Sequence, residues 1–374
     1  MLTQSPAIFT HFQNLTDPRQ EAKVIHSLTE MITIAMCASI CGANSWSDVE
    51  TFAIAKYDWL CNFLKLEHGI PSHDTFNRVF SRLDTQEMHE SLQCWIASLE
   101  LCMKDQGVHI DGKTLRRSFD KSSDTSALQV VSAWASDLSL CLGQVAVDEN
   151  SNEITAVPQL LELLEITGAV VTLDAMHCQT KTAAKIREKK ADYILTVKGN
   201  QTTLRNSISE LFVEHGEEGY CNKNVRVCKT IEESHGRTEM RVCTVAPAPK
   251  EFAKQGWTDV KSVGMLYRER TVNGKTSEQL IYFISSLPPK VRKIAKHLRS
   301  HWSVENQLHW SLDVNFSEDA SRIRKGNGQE VASIFRRLSL SLIKQNTSIK
   351  ASQRRKRLLA GWDTDQLEKI LTGK

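Results

Sequence analysis

The hydrophobic periodicity of the chain changes near residue 106, and this change limits the fold more than any other feature. Before it, apolar residues recur at helical spacing in segments near 22–43, 46–66, 74–83 and 85–104. After it, short β-branched runs alternate with helical stretches, beginning with GVHID, ALQVVSAWAS and LCLGQVAV. The chain therefore predicts a helical region followed by an α/β layer.

The elements of the second part follow the order βββαβαβα, which predicts a mixed sheet and is the order expected of a ribonuclease-H-like core. Strand-like texture returns between about 220 and 287 and predicts a β-rich insertion, and helices are expected at 289–314 and 327–346. We therefore expect three parts: a helical N-terminal region at 1–105, an α/β domain with mixed sheet at 106–346, and a basic helical C-terminal tail at 347–374.

Charge and cysteine content narrow the class of protein. The net charge is only +3, but basic runs at 290–299 and 354–357 form either solvated surface or faces that contact phosphates.

The ten cysteines lack CxxC spacing, which is typical of reduced thiols in an intracellular protein. The most apolar window, Met31 to Ala43, is too short for a membrane-spanning helix, and no signal peptide is evident. We expect a cytoplasmic protein with no membrane partner.

Two aspartates occupy comparable positions in the predicted core. Asp111 is expected to end the first strand, and Asp174 ends the first strand after the three-strand meander. In a ribonuclease-H-like topology both carboxylates reach one edge of adjacent strands, where oxygen ligands favour Mg²⁺ or Mn²⁺ over zinc. An aspartate at a strand end is also a common turn former or helix cap, so either role remains open.

A polar stripe marks the helix predicted at 289–314. Helical spacing places His301 one turn before Glu305 and His309 one turn after it, while Trp302 and Leu308 can bury other parts of the surface. The helix could therefore deliver one carboxylate to a site. Two alternatives remain: a plain surface stripe, or a zinc site with ligands at i, i+4 and i+8.

Five ordered motifs carry a resemblance to a known family. They are DGKTLRRS, VVTLDAMHCQ, YILTVKGNQ, SHGRTEMR and HWSVENQLHWSLDVNFSEDASRIRKGN. Together they resemble the H-repeat-associated family of insertion-sequence transposases, which belongs to the DDE superfamily. The match runs nearly from end to end, and it includes the N-terminal stretch with GIPSHDTFNRVFSRLD.

The resemblance implies that Asp111, Asp174 and Glu305 are the catalytic carboxylates and hold two Mg²⁺ or Mn²⁺ ions. It implies metal-dependent cleavage and strand transfer of insertion-sequence ends, with double-stranded transposon and target DNA as partners. It also implies a bacterial protein associated with the nucleoid when bound to DNA. Within residues 1–105, a short amphipathic stretch with Asn77, Arg78 and Arg82 predicts a DNA-contacting helix, with a plain packing helix as the alternative. Because two ends must meet, a homodimer on DNA is expected. The alternatives are a metal-dependent nuclease without strand transfer and an inactive, transposase-derived DNA-binding protein.

Related transposases carry a Tyr-Arg-Glu-Lys signature around the last carboxylate, and this chain departs from it. Leu298, His301 and Leu312 stand at the Tyr, Arg and Lys positions, which leaves Arg299, His301 and His309 as substitute DNA contacts. Further DNA contacts are expected beside the first carboxylate, after the neighbouring strand and in the β-rich insertion, although each could be ordinary surface: Lys113, Arg116, Arg117, Lys198, Asn200, His235 and Arg237.

Overall fold

A single nine-stranded sheet runs through the protein. The computed structural model describes residues 5–119, 126–147, 152–217, 224–234 and 236–373, without the side chains of 215–217. The strand order is β3-β2-β1-β4-β5-β9-β8-β7-β6. The strands are β1 (Gly107–Thr114), β2 (Gln129–Ala135), β3 (Leu140–Ala146), β4 (Val170–Leu173), β5 (Asp192–Val197), β6 (Arg226–Ser234), β7 (Arg237–Pro247), β8 (Ser262–Val272) and β9 (Lys275–Ser285).

The first five strands form the core that the sequence predicts. β1, β2 and β3 pair as an antiparallel meander, and β1, β4 and β5 pair in parallel. The mixed α/β fold is confirmed, and the strand order agrees with a ribonuclease-H-like core. Ile110 pairs with Leu173, so Asp111 and Asp174 follow at the same level of neighbouring strands. Asp111 does not end its strand as expected, because β1 continues to Thr114 along its pairing with β2.

The β-rich insertion continues the core sheet. β6 to β9 form an antiparallel meander, and β9 pairs with β5 from Ile194–Ser285 to Val197–Tyr282. This pairing covers the backbone groups that β5 would otherwise leave at the edge of the core. The expected insertion is therefore present, but it does not form a separate sheet.

Helices cover the sheet and form the N-terminal and C-terminal parts of the chain. They are α1 (Ala7–Thr10), α2 (Leu28–Cys41), α3 (Trp46–Ala55), α4 (Tyr57–Leu60), α5 (His73–Phe80), α6 (Thr85–Ser98), α7 (Glu153–Leu163), α8 (Thr180–Glu188), α9 (Thr202–Glu217), α10 (Glu251–Lys254), α11 (Val291–His301), α12 (Trp310–Phe316), α13 (Gly328–Gln345), α14 (Gln353–Trp362) and α15 (Thr364–Thr372). Hydrogen bonds with capping side chains fix where several of these helices begin. At the N-terminus of α3, Ser45 and Asp48 form a capping box.

One hydrophobic core joins the N-terminal helices, the first five strands and the C-terminal helices. α2 is apolar on nearly all sides and packs between α3, α13 and α14. Buried side chains continue from Phe9 near the start of the chain to Leu371 near its end. Among the helices of the described residues, none is long and apolar enough to cross a membrane.

The basic run at 354–357 is split between two environments. Arg354 and Arg355 are exposed, whereas Lys356 and Arg357 are buried. Arg357 donates to the carbonyls of Ser39 and Ile40 and stacks over the ring of Phe316 at 3.9 Å. Its guanidinium replaces water with backbone oxygens of α2 and an aromatic face. Half of this run therefore anchors α14 instead of forming a surface for phosphates.

Candidate active site

Three acidic side chains from distant parts of the chain line one cavity of about 170 Å³. Asp111 lies within β1, Asp174 immediately follows β4, and Glu305 comes from the connection between α11 and α12. That connection is a π-helical segment, Val304–His309, in which the backbone makes a wider turn than an α-helix. The structure thus brings together the three carboxylates singled out in the sequence.

The cavity is electrostatically unfavourable for a bare carboxylate. Burial, together with the charges of Asp174, Glu305 and Glu153, raises the pKa of Asp111 to about 7 against the opposing backbone hydrogen bond from Gly112. Glu153 acts from the opposite face of the sheet, because successive side chains of a strand alternate and its carboxyl group lies against Gly112. A cation in the cavity would relieve this accumulation of negative charge.

The donor chemistry fits a hard divalent cation, because Asp111, Asp174 and Glu305 offer only carboxylate oxygens. Even so, among the residues described here no group of three or more His, Cys, Asp or Glu side chains is arranged to hold a metal ion. Mutual repulsion between carboxylates opposes their close approach until a cation lies between them. The same finding applies to His301, Glu305 and His309, which do not assemble the zinc site considered as an alternative.

His301 belongs to a chain of hydrogen bonds beneath the cavity. Its Nδ1 lies 2.8 Å from the hydroxyl of Thr172, which lies 2.6 Å from Nδ1 of His109. The other ring nitrogen of His109 is 3.0 Å from the hydroxyl of Ser136. Burial lowers the pKa of His109 to about 2, so the His109 ring is neutral, and burial also lowers the pKa of His301. These bonds fix the orientation of His301, which lines the cavity.

His309 lies against the first carboxylate. Its Nδ1 is 3.7 Å from Oδ2 of Asp111, and its Nε2 is buried without a hydrogen-bond partner within the described part of the chain. Burial lowers the pKa of His309 to about 3. The ring is therefore neutral beside Asp111, and its position supports a role in arranging that carboxylate more than a contact with DNA.

Lys113 does not lie on an exposed surface as expected. Its ammonium is almost fully buried and contacts Asp313, Glu318 at 3.3 Å and Asp319 at 3.1 Å. Although burial raises the pKa of Glu318, Arg337 and Lys113 lower it to about 2. The Lys113 ammonium is fully engaged by these three carboxylates and is not available to DNA. We therefore revise its role from a DNA contact to an anchor between β1 and the segment after α12.

The other predicted DNA contacts beside the cavity differ in whether their side chains are exposed or already bonded to the protein. Arg116 is exposed and lies 3.4 Å from Asp319, and Arg117 is exposed as well. Lys198 is exposed at the end of β5 and lines the cavity. Asn200 donates to the carbonyl of Ala175 at 2.7 Å, which fixes the turn that follows Asp174. Lys198 is thus exposed at the cavity, whereas the Asn200 amide is engaged by the protein.

A larger groove of about 730 Å³ borders the cavity, with Trp302 and Glu305 lining both. α11 forms one wall and the strands β6 to β8 form the other. Its seven cations outnumber its four carboxylates, Asp137, Glu232, Glu239 and Glu305. The cations are Arg237, Arg241, Arg268, Arg270, Arg292, Lys296 and Arg299. Two predicted DNA contacts, Arg237 and Arg299, therefore belong to one basic groove, whereas His235 lies outside the described residues.

Two family models cover most of the chain. Residues 9–96 match a model described as DDE_Tnp_1-associated, and residues 103–342 match the transposase DDE domain. This chain belongs to the DDE transposase family. The resemblance drawn from the five motifs is confirmed, and the carboxylates described above lie within the region matched by the DDE domain.

Several curated relatives of this transposase-family chain share its length. Putative transposase YncI from Escherichia coli O157:H7 is 36% identical over 98% of this chain and 94% of its own. The H repeat-associated putative transposase YhhI from Escherichia coli K12 is 36% identical over 98% of each chain. Inactive transposase YbfQ from the same strain is 39% identical over 20% of this chain and 89% of its own.

A solved piggyBac transposase synaptic complex with hairpin DNA has a TM-score of 0.43 to this transposase-family chain at 10% identity. The similarity covers 99% of this chain and 79% of that one. A likeness at this level does not bear on function.

Sequence reasoning missed the side chains that support the site. His109 and Thr172 lie two residues before the two aspartates and therefore point to the same faces of β1 and β4, a signal that alternation along a strand could have revealed. Alternation also places Arg237, Glu239 and Arg241 on one face of β7. Arg268 lies over the ring of Trp302 at 4.5 Å, a contact between distant segments that no local pattern indicates.

Proposed function

We propose that this chain is an active DNA transposase that cuts insertion-sequence ends and joins them to target DNA. The observation that carries the proposal is the meeting of Asp111, Asp174 and Glu305 in one cavity beside a groove lined by arginines. A packed α/β protein has no structural need for three acidic side chains in one cavity, because like charges repel one another. Cleavage and joining of phosphodiesters would require these carboxylates, because divalent metal ions for that chemistry are held by carboxylate oxygens.

The three carboxylates would hold two Mg²⁺ or Mn²⁺ ions through oxygen atoms. Two such ions, when bound, activate an attacking oxygen and stabilise a leaving oxygen on opposite sides of phosphorus. Lys198 at the rim of the cavity carries a positive charge that can pair with a phosphoryl oxygen, and the ring of His301 is already oriented by Thr172. The protein thus contributes positioning and a fixed electrostatic environment.

The arginines of the groove would hold the DNA backbone that leads into the cavity. Guanidinium groups bind phosphates in paired hydrogen bonds, and the groove reaches Glu305 directly. Water would be the nucleophile for cleavage, and the 3′-hydroxyl that it releases would be the nucleophile for joining. We further propose a homodimer on DNA, because concerted joining requires two ends to meet in one assembly.

Isosteric removal of charge tests the assignment. Asp111→Asn, Asp174→Asn and Glu305→Gln should each abolish cleavage of DNA that carries the flanking element ends, while binding of the same DNA is retained. Asp58→Asn, an exposed carboxylate on α4, is the matched control and should cleave normally. Mg²⁺ and Mn²⁺ should support cleavage, Ca²⁺ should permit binding alone, and Zn²⁺ should not substitute.

The products separate this proposal from its alternatives. Joined products from a donor with a free 3′-hydroxyl identify a transposase, whereas cleavage without joining identifies a nuclease. DNA binding without cleavage in either metal identifies an inactive DNA-binding relative. Near-normal cleavage by any one of the three variants would remove that residue from the assignment.

A further inference from the structure

An ion pair bridges the two walls of the basic groove. Arg299 on α11 contacts Glu232 on β6 through both nitrogens and both oxygens, with its NH1 and NH2 atoms each 2.6 Å from one carboxylate oxygen. The two residues are 67 positions apart in the chain, so the pair joins separate elements. This bidentate geometry is also the one in which arginine binds a phosphate.

A second ion pair lies deeper in the groove. Glu232 and Glu239 face each other directly across β6 and β7, an arrangement that is unfavourable for like charges. Arg241 offsets it by contacting Glu239 at 2.7 Å and Glu232 at 3.3 Å. The side chain of Glu239 is 8% exposed, and that of Glu232 is 35% exposed. The outer carboxylate is therefore the one that solvent or a ligand can reach.

We propose that Glu232 is a releasable latch that occupies a phosphate position in the groove until a DNA backbone replaces it on Arg299. The inference rests on the proposed function, because it concerns how that groove admits its substrate. In the absence of DNA, the Glu232–Arg299 pair ties β6 to α11 across the path that leads to Glu305. When a phosphodiester binds, it takes the two guanidinium hydrogen bonds, and Glu232 turns to solvent.

The energies favour such an exchange. The side chain of Arg299 is 56% exposed, so its pair with Glu232 is solvent-screened and weak. A DNA phosphate offers the same bidentate contact and also releases condensed counterions to the solvent. Glu239 remains with Arg241 as a buried support, so the groove keeps its shape while the outer pair opens.

Glu232→Gln tests the latch, with Glu233→Gln as the matched control. Glu233 is the next residue of the same strand, it is exposed, and its side chain alternates to the other face of the sheet. Binding of a short fluorescein-labelled DNA duplex is measured between about 50 and 200 mM salt. Glu232→Gln should tighten binding by up to about fivefold. The slope of log K against log salt should stay nearly unchanged, because the same phosphate binds Arg299 in both proteins. Glu233→Gln should behave as the unaltered protein.

A double variant separates the latch from general charge repulsion. In a protein that already carries Arg299→Ala, Glu232→Gln should tighten DNA binding much less. The guanidinium that Glu232→Gln would release for a phosphate is absent from that protein. If Glu232→Gln tightened DNA binding equally well without Arg299, Glu232 would act only by repelling the DNA through its negative charge. That result would refute the latch. Binding by the unaltered protein with no effect of Glu232→Gln overturns the latch alone. Failure of the unaltered protein to bind any DNA overturns the proposed function as well.

Discussion

Asp111→Asn should stabilise the metal-free protein, although it removes a proposed catalytic group. The pKa of Asp111 rises from its ordinary 3.8 to about 7, first through burial and then through Asp174, Glu305 and Glu153. At 1.36 kcal/mol for each pKa unit, this difference corresponds to about 4 kcal/mol. The side chain is 24% exposed, and solvent screening lowers the effect, so we expect about 2 to 4 kcal/mol in favour of the amide.

The pH dependence has a definite sign. An acid whose pKa is raised in the folded state binds its proton more tightly there than in the unfolded chain. The contribution of Asp111 to stability is therefore full below about 4, falls as the pH rises from 3.8 to about 7, and is constant above that value. The difference in stability between the variant and the unaltered protein should be small at acidic pH and should level off above about pH 7.

Thermal unfolding in the presence of EDTA, followed at a series of pH values, measures this difference. Asp58→Asn provides a control for the loss of one carboxylate at an exposed position. Added Mg²⁺ should raise the melting temperature of the unaltered protein more than that of Asp111→Asn, because a bound cation offsets the same repulsion. A variant that is less stable than the unaltered protein at neutral pH, or a difference that does not change with pH, would refute the reasoning.

Three further outcomes follow from the described contacts. Lys113→Ala should destabilise the protein by about 3 kcal/mol in urea titrations, because it leaves buried Glu318 with one cation fewer. Gly112→Ala should cost about 1 kcal/mol or less, measured in the same way, because its Cβ would lie 2.3 Å from the carboxyl group of Glu153, which is the far end of a flexible side chain and can move away. Arg357→Ala should lower the melting temperature because its guanidinium is buried, whereas exposed Arg354→Ala should leave it unchanged and can alter only the salt dependence of DNA binding.

Strand periodicity predicted much of the core and the two aspartates. Short β-branched runs placed β1 and β4 in the chain, and parallel strands next to each other bring Asp111 and Asp174 to one level. Periodicity does not say which strand covers an edge, so the pairing of β9 with β5 could not be read from it. That pairing depends on contacts between segments far apart in sequence.

The third carboxylate and the charged neighbours were less accessible to sequence reasoning. Glu305 was placed by motif resemblance, since helical spacing alone left open a carboxylate delivered to a site, a plain surface stripe and a zinc site. Lys113 follows Asp111 closely, which suggested a DNA contact, but Asp313 and Glu318 approach it from 200 or more positions away and bury it. A lysine in a strand carries no local signal that separates these two environments.

The π-helical segment Val304–His309 has a consequence for how the two parts of this helix tolerate a change of length. A π-turn holds about one residue more than an α-turn, and the surrounding turns are retained at the cost of a local widening. Deleting one residue inside the wide turn would therefore let α-helical geometry resume and would keep the contact of Asp313 with Lys113. Deleting one residue of α12 before Asp313 would differ, because no wide turn absorbs the loss there. The residues that follow would rotate by about 100°, and Asp313 would leave Lys113.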